Sequence, residues 1–267
     1  MKKGMSVKDY LKRIGFRGRI TRTAETLAEL QRCHMMSVPY ESVDIWRGKA
    51  DPLTYEAMYD KIVRRRRGGY CFELNGMFGW LLRELGFKTE EYFGRWLVDE
   101  SVEIPARRHR IIKVTIGKRE FIADVGVGMR APLTPLEFIC GKIQRREGVD
   151  YRFVRDRRLG FVEEMRLKGV WTKVYSFDLA PQEAIDFMYV HYFCVNSPDS
   201  FFRGNLIVHI PTENGRKSIG SVRDPKTGRM FQQLAVSGAD GKTVTAELRT
   251  DRALRKALAE HFGIRED

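Results

Sequence analysis

Cys71 lies in the stretch Arg67-Gly68-Gly69-Tyr70-Cys71-Phe72-Glu73-Leu74-Asn75. The apolar residues that follow, Leu74, Met77, Phe78, Leu81, Leu82 and Leu85, recur at helical spacing until Gly86 stops them. This spacing predicts a helix with Cys71 in its first turn, where unpaired backbone N–H groups and the positive end of the macrodipole favour an anion. A thiolate is such an anion. Arg67 and the run Arg64-Arg65-Arg66 add positive charge, and together these features predict a thiol pKa below its usual ~8.5. Gly68 and Gly69 are read as the hinge, since glycine reaches backbone angles closed to other residues.

A nucleophilic thiol needs a base and a group to orient it. If Gly117-Lys118 is a two-residue hairpin turn, Ile116 faces Arg119 and Ile111 faces Asp124. His109, two residues from Ile111, then shares a face with Asp124 as its diagonal neighbour. A carboxylate so placed sets the tautomer and orientation of an imidazole. The alternative is an exposed histidine and a turn-capping aspartate. Cysteine, histidine and aspartate together perform acyl transfer through a thioester, without a metal.

The elements that must position these residues follow from local signals. Ser6-Val7-Lys8-Asp9 reads as a capping box opening a short helix through Tyr10, Leu11 and Ile14. Thr23 caps a second helix bearing Leu27, Leu30 and His34, which stops before Pro39, and Thr54 caps a third with Met58 and Ile62 inward. With the Cys71 helix these form an all-helical first region of about 87 residues. Apolar runs rich in β-branched and aromatic residues then predict strands at 91–98, 110–116, 120–125 and 169–177. The charged stretch 136–158 reads as surface loop or irregular strands, and Ala180-Pro181-Gln182-Glu183 as a short helical turn. Four further strands, at 205–210, 216–222, 230–236 and 243–248, form a second sheet with turns at Asn214-Gly215 and Asp240-Gly241. Thr250 caps a last helix carrying Leu254, Leu258 and Phe262.

The 267 residues are 43% hydrophobic, enough for a real core and against disorder. The basic N-terminal residues lack an apolar targeting core, and no run approaches ~18 apolar residues, so the expectation is an untargeted cytoplasmic protein without membrane contact. Cys33, Cys71, Cys140 and Cys194 form no CxxC pair and propose neither a zinc site nor a disulfide framework. A formal charge of +13 invites a polyanion, either nucleic acid or a phosphate-bearing substrate. Nucleic acid has no supporting motif here. The default for dispersed arginines is a solvated surface.

These residues resemble the arylamine N-acetyltransferase family over nearly the whole chain. The resemblance is carried by Tyr10-Leu11-Lys12-Arg13-Ile14-Gly15-Phe16 and Thr26-Leu27, then by Val38-Pro39-Tyr40-Glu41-Ser42-Val43-Asp44-Ile45 in place of the family's PFENLDI. Its most specific parts are the stretch around Cys71, His109 within Arg108-His109-Arg110, and Asp124-Val125-Gly126-Val127-Gly128 in place of DVGFG. It implies an α+β architecture: a helical bundle (1–87), a β-barrel (88–195) and an α/β lid (196–267). A Cys71-His109-Asp124 triad would sit between the first two, in a core like that of cysteine proteases. It further implies acetyl-CoA as acyl donor, an arylamine or hydrazine acceptor, and no metal. A related reading keeps the thioester and changes the acyl donor, as in amide synthases.

Glu73 and Asn75 are expected to brace the first turn. Arg107, Arg108 and Arg110 surround His109, where they either grip CoA phosphates or form a solvated basic edge. Trp96 belongs to the core or packs on pantetheine, and Gly126 is a further candidate CoA contact. Tyr40 and Val127, each in place of a family phenylalanine, are assigned to the acceptor pocket, where Val127 offers less stacking area. His34, His191, His209 and His261 are read as structural or surface residues. Oligomeric state has no signal in the sequence.

Overall fold

The computed structural model describes residues 4–98 and 102–266. The side-chain caps stand where the sequence puts them. Ser6 accepts from the Asp9 backbone N–H to start α1 (Val7–Ile14), and Gly15 ends it in the left-handed region. Thr23 starts α2 (Ala24–Ser37) in the same way. A two-residue strand, β1 (Tyr40–Glu41), and a short helix, α3 (Val43–Arg47), come next; neither was expected. Thr54 caps α4 (Tyr55–Tyr59), which runs on as a π-helical turn, Asp60–Arg64.

Helix α5 (Cys71–Glu84) is the centre of the helical layer, buried on every side rather than on one face. Two glycines allow this. A Cβ at Gly76 would stand 2.6 Å from Arg110 Nη1, and one at Gly79 would stand 2.6 Å from Glu91 Oε1. The missing side chains make room for an ion pair on the sheet behind the helix.

That sheet has eight strands: β2 (Lys88–Trp96), β3 (Arg107–Ile116), β4 (Arg119–Ala123), β5 (Leu136–Glu137), β6 (Gln144–Arg146), β7 (Val149–Asp156), β8 (Gly160–Leu167) and β9 (Val170–Phe177). Their order is β5-β4-β3-β2-β9-β8-β7-β6, with antiparallel neighbours throughout. The sheet curls into a nearly closed barrel. The Gln144 side-chain amide bridges its two edges, accepting from Glu137 N and donating to Glu137 O, each at 2.8 Å.

Alternation along β3 divides the cores. Ile111 joins Tyr92, Ile122, Phe153, Tyr175 and Phe177 inside the barrel, whereas Ile112 and Val114 join Phe72, Leu74 and Phe78 of the helical layer. The stretch 136–158, expected as surface loop or irregular strands, holds β5, β6 and the whole of β7. Its alternation was masked by charge: Tyr151 and Phe153 point inward, while Arg152 pairs with Glu164 outside and lies 4.0 Å over Trp171.

No helix forms at Pro181. Asp186 accepts from the Glu183 N–H to make a turn, and α6 (Phe187–Asn196) begins where Phe187 can pack on Phe72 and Phe93. Then come α7 (Phe201–Gly204), β10 (Ile207–Thr212), β11 (Gly215–Arg223), β12 (Met230–Ser237), β13 (Thr243–Leu248) and α8 (Asp251–Phe262), the last capped by Thr250. The first turn of this second sheet is Glu213-Asn214, one residue earlier than expected, because Thr212 pairs with Gly215. Strand β1 completes the sheet by pairing Tyr40 with His209 and Glu41 with Val208. The regions therefore interlock: a piece of the first completes the last, and α6 runs across the expected 195/196 boundary while burying Phe187 and Cys194 in the helical core.

Candidate active site

The loop leading to Cys71 is set by close backbone approach. Its left-handed residue is Arg66 (φ 54°), and neither Gly68 nor Gly69 has a positive φ. The expected hinge role is corrected accordingly. Gly68 is required for space, since a Cβ there would lie 2.1 Å from the Pro39 carbonyl oxygen. Gly69 O accepts from Glu41 N at 2.8 Å, tying the loop to β1.

A buried ion network stands behind this loop. Arg67 reaches Glu41 at 2.8 Å and Asp44 at 2.7 Å, and Lys61 reaches Asp44 and Glu73 at 2.9 Å each. The Glu73 carboxylate also accepts from Tyr70 N at 3.0 Å, occupying the anion position at the head of α5. Arg64 and Arg65 face Asp60 and Asp51 at the surface. Arg64, Arg65 and Arg67, expected to favour a thiolate, are thus paired elsewhere. Burial pushes the Cys71 thiol well up, Cys194 and Asp124 add to this, and the Phe72 N–H and the Arg108 guanidinium oppose it. The Cys71 thiol donates to Arg108 O at 3.6 Å.

The β3–β4 hairpin has the register read from its turn, from Ile116 opposite Arg119 to Ile112 opposite Ala123. His109 Nε2 meets Asp124 Oδ2 at 2.6 Å, with the two side chains 3% and 4% exposed. Asp124 Oδ1 accepts from Asn75 Nδ2 and Gly126 N, each at 2.8 Å. Asn75 also donates to Arg110 O at 2.6 Å and accepts from Val125 N at 2.9 Å. One amide on α5 thereby clamps the helix to both strands of the hairpin. Gly126 completes the contact: a Cβ there would come within 2.8 Å of Cys71 Cα.

A β-bulge sorts the three arginines. Gly94 pairs with His109 and the next residue, Arg95, pairs with Arg107, which puts Arg108 at the bulge. Arg108 lines the cavity. Arg107 turns outward to Asp178, so its assignment as a CoA contact is not supported by its position. Arg110 turns into the helical layer, where its Nε reaches Glu91 Oε2 at 2.5 Å and its guanidinium lies 4.3 Å over Phe187.

The cavity measures about 640 Å³ and is lined by Cys71 and His109 together with Tyr40, Trp96, Arg108, Gly126 and Val127. Its far wall was not anticipated. Phe193, Cys194, Ser200, Phe201 and Phe202 come from α6, α7 and their connection, and His209 from β10. His209, read as structural or surface, is a cavity residue that burial and Arg216 pull down to about 4. Cys194 is buried in the same cavity, its thiol pushed up to about 11 by burial. His191 holds Tyr70, whose hydroxyl lies 2.7 Å from Nδ1. Among the described residues, no three His, Cys, Asp or Glu side chains gather as metal ligands would.

Comparison with known proteins bears on the chain as a whole. The model of a family described as N-acetyltransferase matches residues 23–267. The arylamine N-acetyltransferase of Mycobacterium tuberculosis is 32% identical over 260 residues, covering 96% of this chain and 88% of that protein. The enzyme of Mycolicibacterium smegmatis is 32% identical over 272 residues, covering 97% and 92%. The Mycobacterium marinum arylamine N-acetyltransferase solved in complex with CoA superposes with a TM-score of 0.85 at 30% identity, covering 97% of this chain and 93% of that one. The chain belongs to the arylamine N-acetyltransferase family.

Proposed function

We propose that the protein is an acetyl-CoA-dependent arylamine N-acetyltransferase carrying the acetyl group on Cys71, with His109 as proton carrier and Asp124 orienting it. The observation that supports this most is the clamp by which Asn75 and Gly126 bring the head of α5 against a buried His109–Asp124 pair at one cavity.

The steps follow from burial. An isolated thiolate is disfavoured in this cavity, but passing the Cys71 proton to His109 creates an ion pair and adds no net charge. Asp124 holds Nε2, so the proton is exchanged at Nδ1. The sulfur attacks the acetyl carbonyl of acetyl-CoA, and backbone N–H groups at the head of α5 are the candidate donors to the resulting oxyanion. Collapse expels CoA, which takes the proton from the imidazolium. An arylamine or hydrazine then attacks the thioester and gives its proton to His109, and the Cys71 sulfur leaves and is reprotonated. The order is ping-pong, with one acyl-enzyme between two half-reactions.

Trp96, Arg108 and Gly126 are placed to meet the CoA arm, and Tyr40 and Val127 to meet the acceptor, because all five line the cavity. We keep the bundle, barrel and lid as a working division. No described helix is long and apolar enough to cross a membrane, and the proposed setting is the cytoplasm. Incubation with acetyl-CoA alone should add one acetyl group by intact mass and release one equivalent of CoA. Cys71→Ala should show neither and lose at least about 10⁴-fold in turnover, while Cys33→Ala and Cys140→Ala should keep both. Acetylation retained by Cys71→Ala would overturn the assignment.

A further inference from the structure

Inside the barrel, a second carboxyl lies behind His109 that none of these steps uses. Glu163 on β8 is 2% exposed. It pairs across the sheet with Tyr175 on β9, and Tyr175 pairs in turn with Trp96 on β2, so the three side chains form one row on the inner face. The Tyr175 hydroxyl donates to Glu163 Oε2 at 2.7 Å, and Glu163 Oε1 is buried without a hydrogen-bond partner.

This row ends on the imidazole. The Tyr175 ring lies 5.3 Å from that of His109, and Trp96 meets the same imidazole edge-on at 6.4 Å. A register shift between Glu163 and Glu164 omits Val174 from the ladder. Val174 and Tyr175 consequently both pack in the barrel core although they are adjacent in sequence.

The titratable groups facing Glu163 are Tyr175 from β9, Tyr151 from β7 and Asp124 at the end of β4, with His109 of β3 beyond Tyr175. No described cation offsets its charge. Two carboxylates in one apolar compartment do not both ionise readily. Asp124 is met by an imidazole, an amide and a backbone N–H. Glu163 has one hydroxyl, and burial with a smaller contribution from Asp124 pushes it up to about 8.

We propose that Glu163 is a positioning residue for acyl transfer, whose side chain holds the His109 ring through Tyr175. Its ionisation in alkali sets a second negative charge behind the imidazole. That charge keeps the proton on His109 and slows its return to the departing CoA. The proposal rests on His109 being the proton carrier.

The test measures the rate of Cys71 acetylation by acetyl-CoA, with CoA release as readout, from about pH 6 to 9.5. The wild-type rate should fall in alkali with an ionisation that Glu163→Gln lacks. Glu163→Ala should lower the rate about tenfold at pH 7 without changing the KM for acetyl-CoA, and Glu163→Gln, neutral and of the same length, should recover most of it. Tyr175→Phe should move the alkaline ionisation upward, since Glu163 loses its one donor. An independent melt keeps folding separate. A carboxyl with a raised native pKa binds its proton more tightly when folded, so wild-type stability falls as pH rises from about 4.5 to 8. Glu163→Gln should not share that fall. An alkaline limb identical in wild type and Glu163→Gln, or no recovery by Gln of the rate lost in Ala, would overturn the proposal. His109→Ala separates the two levels: if it acetylates at the wild-type rate, the reading beneath the proposal fails; if it does not, a negative result belongs to Glu163 alone.

Discussion

On the helical side of the cavity, Cys71 is held by charge. Lys61, Arg67, Glu41, Asp44 and Glu73 form a buried network that fixes the loop before α5 and its first turn. On the barrel side, His109 is held by strand register, a one-residue bulge and two aromatic rings. A charge network constrains strongly but fails as a unit, because removing one member strands the others in low dielectric. Register fails differently: shifting it by one residue turns the whole face away, while a substitution that spares it leaves the geometry in place. Cys71 is therefore the member most sensitive to remote changes, and His109 the member most sensitive to its immediate neighbours.

Four outcomes would sharpen or break this contrast. Asp124→Asn acts on the barrel side at His109 while an amide oxygen can still accept from Asn75: it should keep the fold and cut kcat by about 10²–10⁴-fold, since the amide supports the wrong imidazole tautomer. Steady-state kinetics beside a thermal melt would check it, and a collapse of the fold would show that Asp124 serves structure first. Lys61→Met acts on the helical side, leaving Glu73 and Asp44 buried without their shared cation. Urea unfolding should show a loss of about 3–5 kcal/mol, and a loss near zero would remove the charge network from the account. Gly126→Ala acts where the two sides touch: overpacking against Cys71 should cost about 1–3 kcal/mol and lower kcat more than it raises KM. The smallest effect concerns His209 on the far wall. Its native pKa is depressed from 6.5 to about 4 by burial, so the folded state binds fewer protons and stability is lost as pH falls through that window. His209→Gln should flatten the melting temperature between pH 6.5 and 4, and an unchanged slope would mean that His209 does not titrate with unfolding.

The two sides also differ in how far the sequence revealed them. The Cys71 helix was legible because its signals are local: apolar spacing, flanking glycines and a start at the thiol. The His109–Asp124 contact was legible because a two-residue turn dictates every pairing above it, and the observed ladder follows that rule from Ile116 to Ile112. What surrounds the thiol was misread. The charges near Cys71 and His109 in sequence were taken as charges near them in space, yet Arg67 belongs to Glu41 and Asp44, and Arg110 to Glu91. The bulge at Arg108 has no one-dimensional signature, since an extra residue in a ladder shows only against its partner strand.

By itself, then, the amino-acid sequence determined the capped helices, the hairpin register and the contact of His109 with Asp124, because each depends on contacts between near neighbours or on a turn of known geometry. The tertiary structure decided the closing of the barrel through Gln144, the pairing of β1 with β10, the α6–α7 wall of the cavity and the burial that pushes the Cys71 thiol up. The reason is physical. Burial and charge pairing are settled by which distant segments meet, and Phe187-Met188-Tyr189-Val190-His191-Tyr192-Phe193-Cys194, nearly apolar throughout, carries no periodic contrast to say which of its faces turns inward.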